Sequence, residues 1–173
     1  MPTVLVAVDV QKGFVSASSL HVVAPIEALQ HRFDHVVFTR FYNPDPSPFR
    51  RILGYHDLAP GSEGTELAVV PRADAVIIDK PDYSGCNDEL KRHLALWQAD
   101  EVHIAGIATE ACVMKTVSDL FEQDIVTWVI ADLCASDKEH RFHDMAISIL
   151  GTLIGTKHLV NSAEFMSEAA KTC

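Results

Sequence analysis

The 173-residue sequence predicts a doubly wound α/β domain, in which helices cover both faces of a parallel sheet. Apolar runs of strand length alternate with amphipathic runs of helix length along the chain. Several of the strand-like runs are apolar at consecutive positions, which is typical of strands buried on both faces. The apolar fraction of 48% is ordinary for a globular protein, and the length favours a single domain over residues 1–173.

Six apolar runs are predicted as strands, and five amphipathic runs are predicted as helices. In chain order the strands are TVLVAVDV (3–10), HVVFTRF (35–41), AVIIDK (75–80), EVHIAGI (101–107), DIVTWVIAD (124–132) and KHLV (157–160). The helices are at about 23–32, 85–97, 110–122, 138–151 and 162–170. Asn87 is expected to cap the second helix, because Leu90 and Leu94 follow it at helical spacing.

One long segment, 42–74, interrupts this alternation. It contains five of the eight prolines of the chain and glycines at positions 54, 61 and 64. A connection of this length inside a compact domain is usually functional.

Charge and composition exclude several classes of function. A net charge of −10 argues against binding to nucleic acid or to an anionic membrane surface. No apolar run is long enough to span a bilayer, and the N-terminal residues do not resemble a signal peptide. The four cysteines are widely spaced and lack the spacing of paired metal ligands. A reduced, cytoplasmic protein is therefore expected.

Three reactive side chains follow three predicted strands at the point where each strand ends. Asp9 follows the first strand, Lys80 ends the third, and Cys112 lies shortly after the fourth. Ligands of open α/β sheets bind beyond the carboxyl ends of the strands, so these side chains are expected to meet at one edge of the sheet. Each alone has a structural explanation, as a turn former, a solvent-facing lysine or a packed cysteine. Together they provide a base, a cation and a nucleophile.

The position of Cys112 favours a reactive thiol. The run GIATEACV (106–113) joins a short buried strand to an amphipathic helix, which places Cys112 in the first turn of that helix. Unpaired N–H groups and the positive end of the helix dipole stabilise a thiolate there. Lys80 is expected to keep Asp9 ionised and to lower the pKa of the thiol.

These groups predict the hydrolysis of an amide. Cys112 is expected to attack a carbonyl carbon, while Asp9 accepts the thiol proton and later returns it to the leaving group. The N–H groups of Ala108 and Cys112 are the candidate oxyanion hole. Ammonia or an amine leaves, and water hydrolyses the resulting thioester, so no cofactor is expected.

Five segments, in order, resemble those of the isochorismatase-like cysteine hydrolases, the group that contains nicotinamidases and N-carbamoylsarcosine amidohydrolases. The segments are DVQKGF (9–14), GSEGTEL (61–67), KPDYSG (80–85), GIATEACV (106–113) and DLCAS (132–136), the last followed by His143. The resemblance runs from Val4 to about Val160.

This resemblance implies a fold and a set of site residues. The fold is a three-layer α/β/α arrangement with a six-stranded parallel sheet, assembled as dimers or larger homo-oligomers. The implied catalytic triad is Asp9, Lys80 and Cys112, with a cis peptide bond between Ile107 and Ala108.

Two positions depart from the pattern of the family. Nicotinamidases carry a D-x-H metal motif just after the second strand, and this chain has Phe41, Tyr42 and Asn43 there. No metal is therefore expected, and nicotinamide is not the expected substrate. Cys86 stands where the family often has phenylalanine, and the smaller side chain is expected to widen the pocket. Cys86 is either a packed residue or a second reactive thiol, and packing is favoured.

The expected substrate is a small amide bound in a mostly aromatic pocket. The expected wall residues are Phe14, Phe41, Tyr42 and Tyr83, with Ile107 beneath them. Arg40 follows the second strand and either binds a substrate carboxylate or pairs with a nearby acidic residue. The first alternative predicts an anionic amide.

Two other functions compete with this interpretation. A vinyl-ether hydrolase of the isochorismatase type needs no cysteine nucleophile, so Cys112 argues against it. A non-catalytic, oligomeric binding or thiol-sensing protein is the other alternative, and the presence of all three triad positions argues against it.

Overall fold

The computed structural model of the protein describes residues 1–167. Within these residues six strands form one sheet in the order β3–β2–β1–β4–β5–β6, and each strand is parallel to its neighbours. The strands are β1 Val4–Val8, β2 His35–Phe41, β3 Val76–Lys80, β4 Glu101–Ile107, β5 Val126–Ala135 and β6 Leu159–Val160. The six-stranded parallel sheet predicted from the sequence is confirmed.

Helices cover both faces of the sheet. Those in the described part of the chain are α1 Val23–Leu29, α2 Pro48–Leu53, α3 Asp88–Trp97, α4 Met114–Glu122, α5 His140–Leu150 and α6 Ser162–Ser167. None of them is long and apolar enough to cross a membrane. The last three residues of the helix expected at 162–170 lie outside the described residues.

The side chains of β1 show why the domain has three layers. Val4, Val6 and Val8 pack on one face with residues of α3, α4 and α5. Leu5 and Ala7 pack on the opposite face with residues of α1. All five side chains are fully buried. Consecutive apolar residues in this strand are therefore the result of burial on both faces.

Helix α2 was not predicted from the sequence. It begins after Ser47, whose hydroxyl accepts a hydrogen bond from the N–H of Arg50 at 3.1 Å, and Pro48 occupies its first turn. Gly54 ends it in the left-handed conformation, with φ of 64°. Serine before proline at the start and glycine at the end are helix signals, but the density of prolines around them obscured the pattern. The predicted cap Asn87 of α3 is present, at 2.9 Å from the N–H of Leu90.

The order of the strands positions the site. The chain moves outward from β1 through β2 to β3, then returns to the other side of β1 with β4 and continues to β6. The crevice between the carboxyl ends of β1 and β4 is the switch point at which such sheets bind ligands.

Candidate active site

A buried ion pair lies at the switch point. Nζ of Lys80, the last residue of β3, is 2.6 Å from Oδ2 of Asp9, and both side chains are almost completely buried. Lys80 Nζ also donates to the backbone oxygens of Asp82, at 2.8 Å, and Tyr83, at 3.0 Å. Three acceptors therefore fix the ammonium group, which compensates the cost of burying a charge.

The carboxylate of Asp9 is fixed through both of its oxygens. Oδ1 accepts a 2.7 Å hydrogen bond from the hydroxyl of Thr39 in β2, while Oδ2 accepts from Lys80. The N–H of Asp9 also donates to Thr39, and its φ of 49° lies in the left-handed region. Thr39 was not predicted as a site residue, although it is the polar residue that directly follows the apolar run VVF (36–38) in β2.

Cys112 lies in a π-helical turn, Thr109–Val113, between β4 and α4. The carbonyl oxygen of Ala108 accepts from the N–H groups of two residues in this turn, at 3.1 Å each. The peptide bond between Ile107 and Ala108 is cis, as the resemblance implied. Cys112 is 5% exposed and is buried against the edge of the apolar core.

Gly106 allows β4 to approach β1 closely enough for this arrangement. Its φ is 131°, and a Cβ atom on it would lie 2.1 Å from the backbone oxygen of Val8. Only glycine fits this position, because any side chain would collide with backbone atoms.

The thiol of Cys112 differs from the expectation of an acidic group. Burial raises its pKa well above 9.0, and the negative charge of Asp9 raises it further. The positive charge of Lys80 lowers the pKa, as expected, but this effect is smaller, and a hydrogen bond to Asp9 also favours the protonated form. Burial therefore favours a protonated thiol at rest over the stabilised thiolate expected from the position of Cys112.

Cys112 opens onto a cavity of about 400 Å³. Phe14, Phe41 and Tyr83 line it, where the sequence placed them, and so do Ala108 and Cys112.

Three other residues expected in the pocket wall lie elsewhere. Arg40 makes a two-pronged ion pair with Asp79 of β3, at 2.7 and 3.0 Å, on the surface of the sheet. Ile107 is fully buried in the core under α1, and Tyr42 is not part of the cavity wall. The anionic substrate inferred from Arg40 therefore loses its basis.

Sequence reasoning missed a larger part of the wall. The missed residues are Phe49, Leu53, Tyr55, Glu110, Ala111, Asp137 and Lys138. The first three belong to α2 or follow it, and the others lie in the turns after β4 and β5. The segments that carry these residues were nevertheless predicted to be functional, because the sequence singled out both the long proline-rich connection and the carboxyl ends of the strands.

Phe49 attaches α2 to the cavity. Its ring makes edge contacts with Phe41 and with Tyr83, each at a centroid distance of 4.9 Å. Such contacts stabilise beyond the apolar area they bury. The proline-rich connection is therefore a wall of the site.

The residues at the metal position of nicotinamidases do not fit a metal ion. The amide of Asn43 donates to the carbonyl oxygens of Tyr55 and Asp57, at 2.8 and 3.1 Å, and its oxygen accepts from Ser47 at 2.5 Å. Phe41 contributes only an aromatic ring. Across residues 1–167 no group of three or more His, Cys, Asp or Glu side chains is arranged to hold a metal.

The fold and the site define an α/β protein with a buried aspartate–lysine pair beside a cavity-lining cysteine. A family model described as the isochorismatase domain matches residues 3–157, so the chain belongs to the isochorismatase-like hydrolase family.

Individual relatives agree with this assignment. The chain is 29% identical over 160 residues to a nicotinamidase/pyrazinamidase of Mycobacterium tuberculosis, with 76% of this chain and 85% of the relative covered. A cysteine hydrolase from Pseudomonas syringae pv. phaseolicola has a similar structure, with a TM-score of 0.87 and 21% identity over 98% of this chain and 93% of that one. An N-carbamoylsarcosine amidase from Thermoplasma acidophilum has a TM-score of 0.76 and 24% identity, over 87% and 94% of the two chains.

Proposed function

We propose that this protein is a cysteine amidohydrolase that cleaves a C–N bond of a small amide or carbamoyl compound through a thioester on Cys112. The observation that carries the proposal is the placement of the cavity-lining Cys112 beside Asp9, whose carboxylate is paired with Lys80. The names of the nicotinamidase and carbamoylsarcosine amidase relatives support the amide class.

The raised pKa of the thiol determines how the first step proceeds. Since Cys112 is protonated at rest, its proton moves to Asp9 as Sγ attacks the carbonyl carbon. The carbonyl π electrons move to oxygen, and the N–H groups of Ala108 and Cys112 are the proposed donors to the resulting oxyanion. Lys80 stays in place as the counter-charge for Asp9, held by the carbonyl oxygens of Asp82 and Tyr83.

The second half of the reaction uses the same groups. Asp9 returns the proton to the leaving nitrogen as the C–N bond breaks, which leaves an acyl thioester on Cys112. A water molecule then gives a proton to Asp9 and attacks the thioester, and the thiol leaves with the proton restored. Every proton that is taken up is returned, so the enzyme is unchanged after one turnover.

The proposed reaction needs no metal ion. At the metal position of nicotinamidases, both the nitrogen and the oxygen of the Asn43 amide are hydrogen-bonded within the surrounding loop. The chemistry that a metal supplies to a carbonyl, polarisation of the oxygen, is assigned here to backbone N–H groups.

The test measures ammonia release from a panel of small amides and carbamoyl compounds by the full-length protein. Wild type is expected to release ammonia from at least one compound, and Cys112→Ala, Asp9→Asn and Lys80→Met are each expected to lower kcat by at least about a hundredfold. Cys86→Ala is the matched control, because Cys86 is a free, half-buried cysteine outside the cavity wall.

The competing non-catalytic function gives a different result. A binding or thiol-sensing protein would release no ammonia from any compound, while Cys112→Ala would still abolish ligand binding or the oxidation response. Unchanged ammonia release by Cys112→Ala would also contradict the proposed mechanism.

A further inference from the structure

The cavity beside Cys112 has two chemically different sides. One side is aromatic and includes Phe14, Phe49 and Tyr55. The other side is polar and consists of Glu110, in the turn after β4, with Asp137 and Lys138 after β5. This contrast determines which small molecules fit.

The polar side carries more negative than positive charge. Glu110 and Asp137 supply two carboxylates, and Lys138 supplies one ammonium group next to Asp137 in the chain. The charge of Asp9 is already compensated by Lys80. An anionic ligand in the cavity would therefore be repelled by the excess of negative charge on these side chains.

Glu110 has one carboxylate oxygen without a donor. Oε1 accepts a 2.7 Å hydrogen bond from the hydroxyl of Ser136, whereas Oε2 is buried and receives no hydrogen bond from residues 1–167. A buried carboxylate oxygen without a donor is unfavourable. This oxygen lies beneath the cavity surface, so a ligand N–H group satisfies it once the Glu110 side chain rotates toward the cavity.

The negative charges around the cavity contribute to the pKa shifts of two groups, although burial is the larger cause of both shifts. Burial raises the pKa of Tyr55 to about 12, and the charges of Asp57 and Asp137 contribute in the same direction. Burial raises the pKa of Asp137, and the charge of Glu110 adds to that shift. A positive ligand charge opposes this charge contribution and stabilises the ionised carboxylates of Glu110 and Asp137.

We propose that the site accepts small amides that carry an ammonium or amidinium group, held between the aromatic rings and the carboxylates of Glu110 and Asp137. This inference rests on the proposed function, because it names the substrate class of the same site. Aromatic faces attract cations, and N⁺–H donors form strong hydrogen bonds to carboxylates. The pairing of Arg40 with Asp79 removes the group that would have favoured an anionic amide.

The test compares amides of matched shape and different charge. 3-Aminopropanamide and butanamide differ only by an ammonium group in place of a methyl group, and succinamate carries a carboxylate instead. Calorimetric titration of Cys112→Ala, with Cys112→Ser as a second variant, measures binding without turnover. 3-Aminopropanamide is expected to bind at least about tenfold more tightly than butanamide, a difference of about 1.4 kcal/mol.

Variants that remove a single charge test which carboxylates cause the preference for 3-aminopropanamide over butanamide. Glu110→Gln and, separately, Asp137→Asn are expected to reduce the ratio of the two affinities at least about threefold. Glu122→Gln removes the same charge from the exposed end of α4, outside the cavity, and is expected to leave the ratio unchanged. A ratio that responds equally to Glu122→Gln and Glu110→Gln would overturn the assignment.

Measurements of binding and of turnover distinguish failure of this inference from failure of the proposed hydrolase function. Equal or weaker binding of 3-aminopropanamide than of butanamide or succinamate, including no measurable binding of any of them, overturns this inference. If wild type still releases ammonia from other amides in a Cys112-dependent way, the proposed hydrolase survives. Preferred binding of 3-aminopropanamide without ammonia release from any amide supports the cation site and counts against the hydrolase.

Discussion

Replacing Lys80 by methionine tests the buried ion pair through stability. Lys80 and Asp9 are 1% and 0% exposed, so the variant leaves the Asp9 carboxylate buried without its counter-charge. Removal of one partner of a buried pair costs about 3–5 kcal/mol. For a domain of this length that loss corresponds to a fall in Tm of about 6–20 °C.

Arg40→Met is the matched control for this measurement. Arg40 also pairs with an aspartate, Asp79, at 2.7 Å, but the two side chains are 36% and 54% exposed. An exposed ion pair contributes at most about 1 kcal/mol, so the control should unfold close to wild type.

Urea unfolding of wild type, the two single variants and Asp9→Asn/Lys80→Met completes the experiment. Asparagine removes the uncompensated charge, so the double variant should be more stable than Lys80→Met alone by at least about 1 kcal/mol. A loss from Lys80→Met no larger than that from Arg40→Met would refute the conclusion that this pair is buried and strongly coupled.

Three further predictions follow from single positions. Burial raises the pKa of Cys134 from 9.0 to about 12, so the folded state keeps a proton that the unfolded chain loses above about pH 9. Between pH 9 and pH 10 the unfolding free energy of wild type should therefore fall by about 1 kcal/mol more than that of Cys134→Ala, as measured by urea unfolding. Gly106→Ala should lose more than about 3 kcal/mol or fail to fold, because its Cβ would lie 2.1 Å from a backbone oxygen; circular dichroism during thermal unfolding checks this. Because the pKa of Cys112 is raised well above 9.0, the ultraviolet absorbance of wild type minus Cys112→Ala should show no thiolate at about pH 7, and a thiolate signal there would be inconsistent with the structure.

The sheet was predictable because its sequence signal is local. Each strand is a short apolar run, and β1 is apolar at consecutive positions because both of its faces are covered. The general rule for ligand sites in such sheets then selected Asp9, Lys80 and Cys112, and the structure brings their side chains together.

The role of Arg40 could not be read from the sequence, because it depends on strand register. Arg40 of β2 lies directly beside Asp79 of β3 in the parallel pairing, and their side chains meet on the exposed part of the sheet. Neither the pairing nor the direction of the side chain is visible until the register is known.

The protonation state of Cys112 and much of the cavity wall depend on three-dimensional packing. Loss of solvent around the thiol outweighs the nearby Lys80, and a sequence does not give the degree of burial. Phe49 reaches the cavity through a helix in the proline-rich segment, and Glu110 and Asp137 come from separate turns. Irregular segments have no periodic pattern that predicts which of their side chains share a cavity.

The most direct test of the central mechanism measures the mass of the peptide that contains Cys112 during turnover. Wild type is mixed with an amide that it hydrolyses, stopped with acid within the first turnover and digested for mass spectrometry. The proposed mechanism predicts that the peptide with Cys112 gains the mass of the acyl group, and that Cys112→Ala gains none. Continued hydrolysis by Cys112→Ala, or rapid wild-type turnover with the acyl group on another residue, would contradict it.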